Sequence, residues 1–205
     1  MAIDFVIFDM DDVLYDFNRP VRLQALSKLS GKTPDEVHQA IYAAGGFEEG
    51  ADEGKPDNTE DYLKGYSEHL GYPITSLQWG QIRRSMMRPR PSVLSIASQL
   101  SEIVDTAILT NNCIILQDHW ELCAPEAVEI FGENLHISAE LGLAKPNPEI
   151  YRVLCERYGH APERCLFIDD LAENVEGAIS ASLSGHVFQS AAGLKAAIKE
   201  LGLEL

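Results

Sequence analysis

The chain has 205 residues and a formal net charge of −16, a balance that argues against nucleic acid and anionic membrane as partners because both need a basic footprint. A local site on so acidic a chain can still be positive toward a small anion. The apolar share of 45% and charged share of 23% are those of a soluble globular protein, and the length suits one domain, or one with a small insertion.

The first element is Phe5-Val6-Ile7-Phe8, an apolar run that suits a strand covered on both faces. It drives straight into Asp9, Asp11 and Asp12. Like charges this close repel, and burying them costs several kcal/mol or more unless something positive offsets them. Residues 15 to 88 then read as all-helical. Thr33-Pro34-Asp35-Glu36 is a capping box with proline at the first helical position, and Thr59-Glu60-Asp61 and Thr75-Ser76-Leu77-Gln78 are two further helix starts. GGFEEGADEGKPDN, a glycine-rich acidic loop, separates the first two.

From residue 89 the pattern alternates. A helix over Ser92–Leu100 follows Pro91, and a strand over Ile103–Leu109 runs into Thr110. A helix over Pro148–Tyr158 stops at Gly159. A strand over Cys165–Ile168 ends in Asp169-Asp170, a helix covers Asn174–Ser182, a weak strand His186–Gln189, and a last helix Gly193–Leu201. Alternation of this kind predicts an α/β core with a mostly parallel sheet, built from residues 1–14 and 89–205 and interrupted by an inserted helical unit at 15–88.

Cys113, Cys123, Cys155 and Cys165 form no CxxC pair and have no histidine at zinc spacing, so they read as reduced core thiols in a cytoplasmic compartment. The N-terminus opens on a strand rather than a basic stretch followed by an apolar one, which predicts no secretory signal. No apolar run approaches the ~20 residues that a membrane-spanning helix needs.

Four polar sites share one placement, at the carboxyl end of a predicted strand or in a loop beyond it: Asp9-Met10-Asp11, Thr110, Lys145 and Asp169-Asp170. In open parallel sheets ligands bind outside those ends, so the four converge on one pocket. Carboxylates at Asp9 and Asp170 suit a hard divalent cation such as Mg²⁺, which is usually held by one or two carboxylates plus phosphate oxygens. The Lys145 ammonium and that cation supply the positive charge that the first strand demands. The Thr110 hydroxyl and nearby backbone N–H groups suit phosphate oxygens, and a carboxylate can serve as a covalent nucleophile.

DMDDV at 9–13, LTN at 109–111, Lys145 in KPNPEIY and IDD at 168–170 stand in the order of the four motifs of the haloacid dehalogenase superfamily, which the whole chain resembles. FEEG before the acidic loop, LTNN and FIDDLAENVEGA are similar to the subgroup of glucose-1-phosphatase-type enzymes and the phosphatase domain of soluble epoxide hydrolases. The resemblance implies a Rossmann-like three-layer parallel-sheet core, with residues 15–88 as a helical cap. It implies a Mg²⁺-dependent phosphatase that hydrolyses small phosphorylated metabolites, sugar phosphates among them, through a phospho-aspartate at Asp9. Asp11 would be the acid for the leaving alkoxide and then the base for water, and its backbone carbonyl a metal ligand. Thr110 with the Asn111 backbone would hold the phosphoryl group, and Lys145 would neutralise charge. Asp170 would be the second metal carboxylate, with Asp169 the alternative, and Asp169 and Asn174 would orient the direct ligands.

A phosphomutase shares all four motifs and is the nearest alternative. A 2-haloacid dehalogenase would leave Asp11 and Asp170 without purpose, and a non-catalytic binding module would leave the whole set so. Asp12, where many relatives carry glycine, is expected to face solvent or cap the next turn. Arg83, Arg84, Arg88 and Arg90 read as cations at a helix C-terminus, the competing reading being a clamp for a second anionic group. Phe47 and Trp79 are expected in the core of the helical unit, with Phe47 and Glu48 near the pocket, while His119 and His136 show no partner in the sequence. Substrate identity and oligomeric state are not encoded in any motif.

Overall fold

A computed structural model describes residues 2–204. Its centre is β1 (Phe5–Phe8), whose side chains alternate between two apolar layers as the two-residue period of a strand requires. Phe5 and Ile7 join one cluster, Val6 and Phe8 the other. β2 (Tyr15–Phe17) leads into four helices, α1 (Arg19–Ser30), α2 (Pro34–Ile41), α3 (Thr59–Leu70) and α4 (Ser76–Ser85), and β3 (Met87–Pro89) closes the segment by pairing antiparallel with β2. The chain then runs through α5 (Pro91–Ser101), β4 (Asp105–Thr110), α6 (Trp120–Cys123), α7 (Pro125–Phe131), β5 (Leu135–Ile137), α8 (Ser138–Leu141), α9 (Pro148–Tyr158), β6 (Cys165–Asp169), α10 (Ala172–Ser180), β7 (Ser184–Val187) and α11 (Ala191–Glu200).

The main sheet has the order β5-β4-β1-β6-β7 and every pairing in it is parallel. Counted by appearance in the chain, its strands run 3-2-1-4-5, so the connections reverse direction across the sheet at β1. That is the Rossmann-like order, and its crevice opens beyond the carboxyl ends of β1 and its neighbours. α9 and α10 cover one face through Ile150, Tyr151, Leu154 and Ala178. α5, α7 and α11 cover the other through Val93, Leu94, Ala127, Leu194 and Ile198. The α/β, three-layer expectation is met.

Differences from the expected elements have local causes. β4 begins at Asp105 rather than Ile103, which is half exposed in the turn after α5. β7 lies at 184–187 rather than 186–189, because it is an edge strand with a half-covered, alternating face and so lacks a continuous apolar run. The capping boxes at Thr33 and Thr75 are both formed, whereas Thr59 is already inside α3 and Asn58 is its cap. All four cysteines are free and buried. Among the described residues no helix is long and apolar enough to cross a membrane.

The helical segment packs around aromatic rings. Tyr62, Tyr66 and Trp79 are buried, and Phe47 lies edge-on to Tyr62 and Tyr66, so Phe47 and Trp79 are core residues. Buried Arg22 threads between them, its guanidinium 5.0 Å from the Tyr42 ring and 5.4 Å from that of Trp79. The two histidines do have partners: His119 bonds Ser76, and His136 bonds Glu140 and Tyr158.

Candidate active site

The carboxyl ends of β1, β4 and β6 deliver Asp9, Thr110 and Asp169 to one crevice. The Asp9 amide donates to the Ile168 carbonyl at 2.8 Å, which extends the β1–β6 ladder by one residue and fixes where the Asp9 side chain leaves the backbone. Lys145 enters from the loop before α9. Its Nζ donates to Asp9 Oδ1 and to Asp169 Oδ2, each at 2.7 Å, and all three side chains are almost wholly buried. Burial works against the ammonium, but the two carboxylates outweigh it and hold the Lys145 pKa above its ordinary range. Burial likewise pushes the Asp9 carboxyl up to about 7, Lys145 drawing it down and Asp169 up.

The lysine is held in place by its backbone. The Asn111 side chain donates to the Lys145 carbonyl and accepts from the Lys145 amide, both at 2.9 Å. On the other side α10 packs directly on the same loop: a Cβ at Gly177 would stand 2.2 Å from the Pro146 carbonyl oxygen, so only glycine fits there. Asp169 is fully engaged, accepting from Lys145, from both-oxygen contacts of the Asn174 amide at 3.0 and 3.1 Å, and from the Leu171 amide at 2.8 Å. Asp170 is half-buried with a carboxyl raised by burial and by Asp169.

Asp9, Asp169 and Asp170 each offer a carboxylate oxygen, and the three lie within 4.8 Å of one another. Oxygen donors of this kind, crowded and short of positive charge, fit a hard divalent cation. With Lys145 and Asn174 already on Asp169, Asp9 and Asp170 are the carboxylates with oxygens to spare.

Asp11 has a different setting. It shares the turn after β1, but its carboxylate points at α4, where Nη2 of Arg83 donates to both of its oxygens at 2.8 and 2.6 Å. Asn112 Nδ2 approaches the same carboxylate at 3.3 Å and donates to Thr110 Oγ1 at 2.9 Å. Asp12 takes the left-handed conformation, φ 58°, and its side chain accepts from the Phe17 amide, so it caps the turn.

These groups line a cavity of about 380 Å³. Its floor holds Asp9, Asp11, Thr110, Asn111, Lys145, Asp170 and Asn174, and its far wall Phe17, Arg19, Arg22, Tyr42, Glu48 and Asp52 from the helical segment. Glu48 Oε1 accepts from Arg22 at 3.1 Å and from the Tyr62 hydroxyl, and Oε2 has no partner among the described residues. Burial and the Glu48 charge raise Asp52 to about 6.

Every sequence-derived candidate thus reaches the one crevice, Asp169 as a buried anchor and Asn111 through its side chain as well as its backbone. Sequence reasoning missed Asn112, although LTNN contains it, and the wall residues Arg19, Arg22 and Asp52, which carry no motif. It also took the four arginines as a set. Arg83 alone reaches the crevice; Arg84 bonds the Cys123 carbonyl, Arg90 pairs with Asp16 at 2.7 Å, and Arg88 is exposed.

A family model described as haloacid dehalogenase-like hydrolase matches residues 3–182. The chain is 26% identical over 198 residues to a phosphatase of Mycobacterium tuberculosis, covering 91% of this chain and 88% of that protein. It is 25% identical over 195 residues to the D-ribitol-5-phosphate phosphatase of Bacteroides thetaiotaomicron, covering 90% of each. Among solved structures, a predicted hydrolase of the same fold from Porphyromonas gingivalis matches over 100% of both chains, with a TM-score of 0.80 at 20% identity. A Bacteroides thetaiotaomicron enzyme crystallised with magnesium and inorganic phosphate matches with a TM-score of 0.74 at 22% identity, over 92% of this chain and 95% of that one.

Proposed function

The chain belongs to the haloacid dehalogenase-like hydrolases, and from that premise we propose that it hydrolyses small phosphoric monoesters through a phospho-aspartate at Asp9. The observation that carries this reading is the buried Asp9–Lys145–Asp169 chain at the floor of a polar cavity, with Asp11 beside it but outside the lysine's reach. Lys145 holds Oδ1 of Asp9, so Oδ2 is the oxygen left to attack. Its lone pair forms the new P–O bond as the bond from phosphorus to the alcohol oxygen breaks, and Asp11 gives that alkoxide its proton. Water then attacks phosphorus, Asp11 takes the water's proton, and the P–O bond to Asp9 breaks to release inorganic phosphate. Thr110 and the Asn111 backbone hold the phosphoryl oxygens, while Lys145 offsets the charge of Asp9 and of the phosphoryl group.

Mg²⁺, bound by Asp9, Asp170 and the Asp11 carbonyl, would neutralise charge on the transferring phosphoryl group. Asp169 and Asn174 keep Lys145 and the turn after β6 in place. Residues 15–88 act as the cap that supplies the far wall. A cavity of about 380 Å³ that presents Glu48 and Asp52 as acceptors and Arg19 and Arg22 as cations suits a short polyhydroxylated chain, as in a sugar or polyol phosphate. Four free thiols suit a reducing, cytoplasmic setting.

The test is phosphate release from a panel of sugar and polyol phosphates, with p-nitrophenyl phosphate as a generic substrate and Mg²⁺ present. Wild-type protein should turn over, and Asp9→Asn, which keeps the shape and removes the nucleophile, should fall by several orders of magnitude. Retention of a tenth of the wild-type rate by Asp9→Asn would rule out the covalent route. Interconversion of phosphate isomers without phosphate release would identify a phosphomutase. Halide release from a 2-haloacid with no phosphatase activity would identify a dehalogenase.

A further inference from the structure

We infer that Arg83, carried by α4 in the helical segment, is the positioning residue for Asp11. The inference rests on the proposed role of Asp11 as the acid for the leaving group. Arg83 is 1% exposed, and its guanidinium lies 4.7 Å from the centre of the Phe17 ring. Nη2 makes both contacts with Asp11, and Nε and Nη1 have no hydrogen-bond partner among the described residues. Among the described residues Asp11 is also the one carboxylate paired with Arg83. The two short contacts from one buried nitrogen fix where the Asp11 side chain points, and when Asp11 carries the proton for the leaving group its other oxygen still accepts from Nη2. Asn112 closes the other side and ties the same carboxylate to Thr110.

The placement of Arg83 is itself fixed by the sequence of its helix. Thr75 and Gln78 form the capping box that starts α4. Gly80 lets α4 approach α6 and the residue before it so closely that a Cβ there would stand 2.9 Å from the His119 ring and from Leu122. One turn later Arg83 faces the catalytic turn. The helical segment therefore supplies a part of the chemistry as well as a wall of the cavity: the orientation of the proton donor depends on the docking of α4.

Positioning and substrate binding make opposite predictions, because an arginine that grips substrate changes KM and one that aims an acid changes kcat. Arg83→Met keeps the apolar stem on Phe17 and removes the charge; Arg83→Lys keeps a cation. With a sugar or polyol phosphate that the wild type turns over, Arg83→Met should lower kcat by about 100-fold, the lower end of what a general acid contributes, with KM within about threefold. Single-turnover phosphorylation by p-nitrophenyl phosphate, whose leaving group needs no proton, should fall by less than about fivefold. Arg83→Lys should recover about tenfold of the loss, and adding Arg83→Met to Asp11→Asn should cost little more, since both act through one group.

Equal losses on the two substrates, a rise in KM at constant kcat, or a lysine variant no better than the methionine one would each overturn the assignment of Arg83. Asp11→Asn is the control for the underlying reading. If it shows the leaving-group dependence and Arg83→Met does not, only the inference fails. If Asp11→Asn itself loses both activities equally, the role of Asp11 fails and the inference with it.

Discussion

Replacing Lys145 by methionine tests the buried charge chain at its centre. The change keeps an unbranched apolar stem and deletes an ammonium that sits 2.7 Å from each of two buried carboxylates. Removing one partner of a buried ion pair leaves an uncompensated charge and costs about 3–5 kcal/mol; with two carboxylates abandoned at once, the upper half of that range applies. In a chain of this length about 4 kcal/mol lowers Tm by roughly 8–16 °C. The penalty depends on pH in a direction set by Asp9. Its folded carboxyl is already raised from the ordinary 3.8 to about 7, and losing Lys145 removes the influence that draws it down. A raised acid destabilises the fold above its unfolded pKa, and the penalty fades as pH falls through the folded value and the carboxyl takes up its proton. Urea unfolding of wild type and Lys145→Met, followed by circular dichroism in EDTA at pH 8 and pH 5, measures both quantities. The variant should be far less stable at pH 8 and recover part of the difference at pH 5. A difference under about 1 kcal/mol at pH 8, or one that grows as the solution is acidified, would refute the argument that Lys145 is the buried counter-charge.

Two further outcomes are expected. EDTA should abolish turnover and Mg²⁺ restore it, while Ca²⁺, which prefers more ligands at longer distances, should support it poorly; full activity in EDTA would remove the cation from the proposed site. Asp52 is raised from 3.8 to about 6, so its anion weakens the fold as pH rises through that window. Asp52→Asn should therefore be more stable than wild type at pH 7.5, by on the order of 1–3 kcal/mol, and indistinguishable from it at pH 4 in thermal melts.

What the sequence made legible follows from which interactions are local. β1 and β6 are buried on both faces, so they announce themselves as apolar runs, and the polar residues just past them mark the crevice. β5 has three residues and β2 and β3 three each, too short for any period to show, and β3 ends in a proline. Lys145 could be placed in the site from its motif, but its two partners lie 136 and 24 residues away, and no local pattern encodes that both are carboxylates within reach. Arg83 is the sharper case. As one of four arginines near a helix end it fits the macrodipole argument, whereas its neighbour Arg84 bonds the Cys123 carbonyl at the end of α6 rather than a carbonyl of its own helix. The contact that distinguishes it spans 72 residues and exists only once α4 has docked. The wall residues Arg19, Arg22 and Asp52 are hidden for the same reason.

The β2–β3 ribbon has a consequence for how this chain tolerates change. The helical segment leaves the turn after β1 at Leu14 and comes back at Arg90, and the Arg90 amide donates to the Leu14 carbonyl at 2.9 Å. Departure and return are thus one place, stapled by backbone bonds and by the Arg90 side chain on Asp16. Everything between the two strands hangs from a closed clip, so insertions, deletions or wholesale exchange there leave the register of β1 against β4 untouched. Loop closure adds little to the cost, since doubling the length of a closed loop adds only about 0.6 kcal/mol. Substrate range can then drift through the segment's inner wall while Asp9 and Lys145 stay put. If Arg83 positions Asp11, position 83 cannot drift as freely, because whatever replaces this segment must still bring a cation to Asp11.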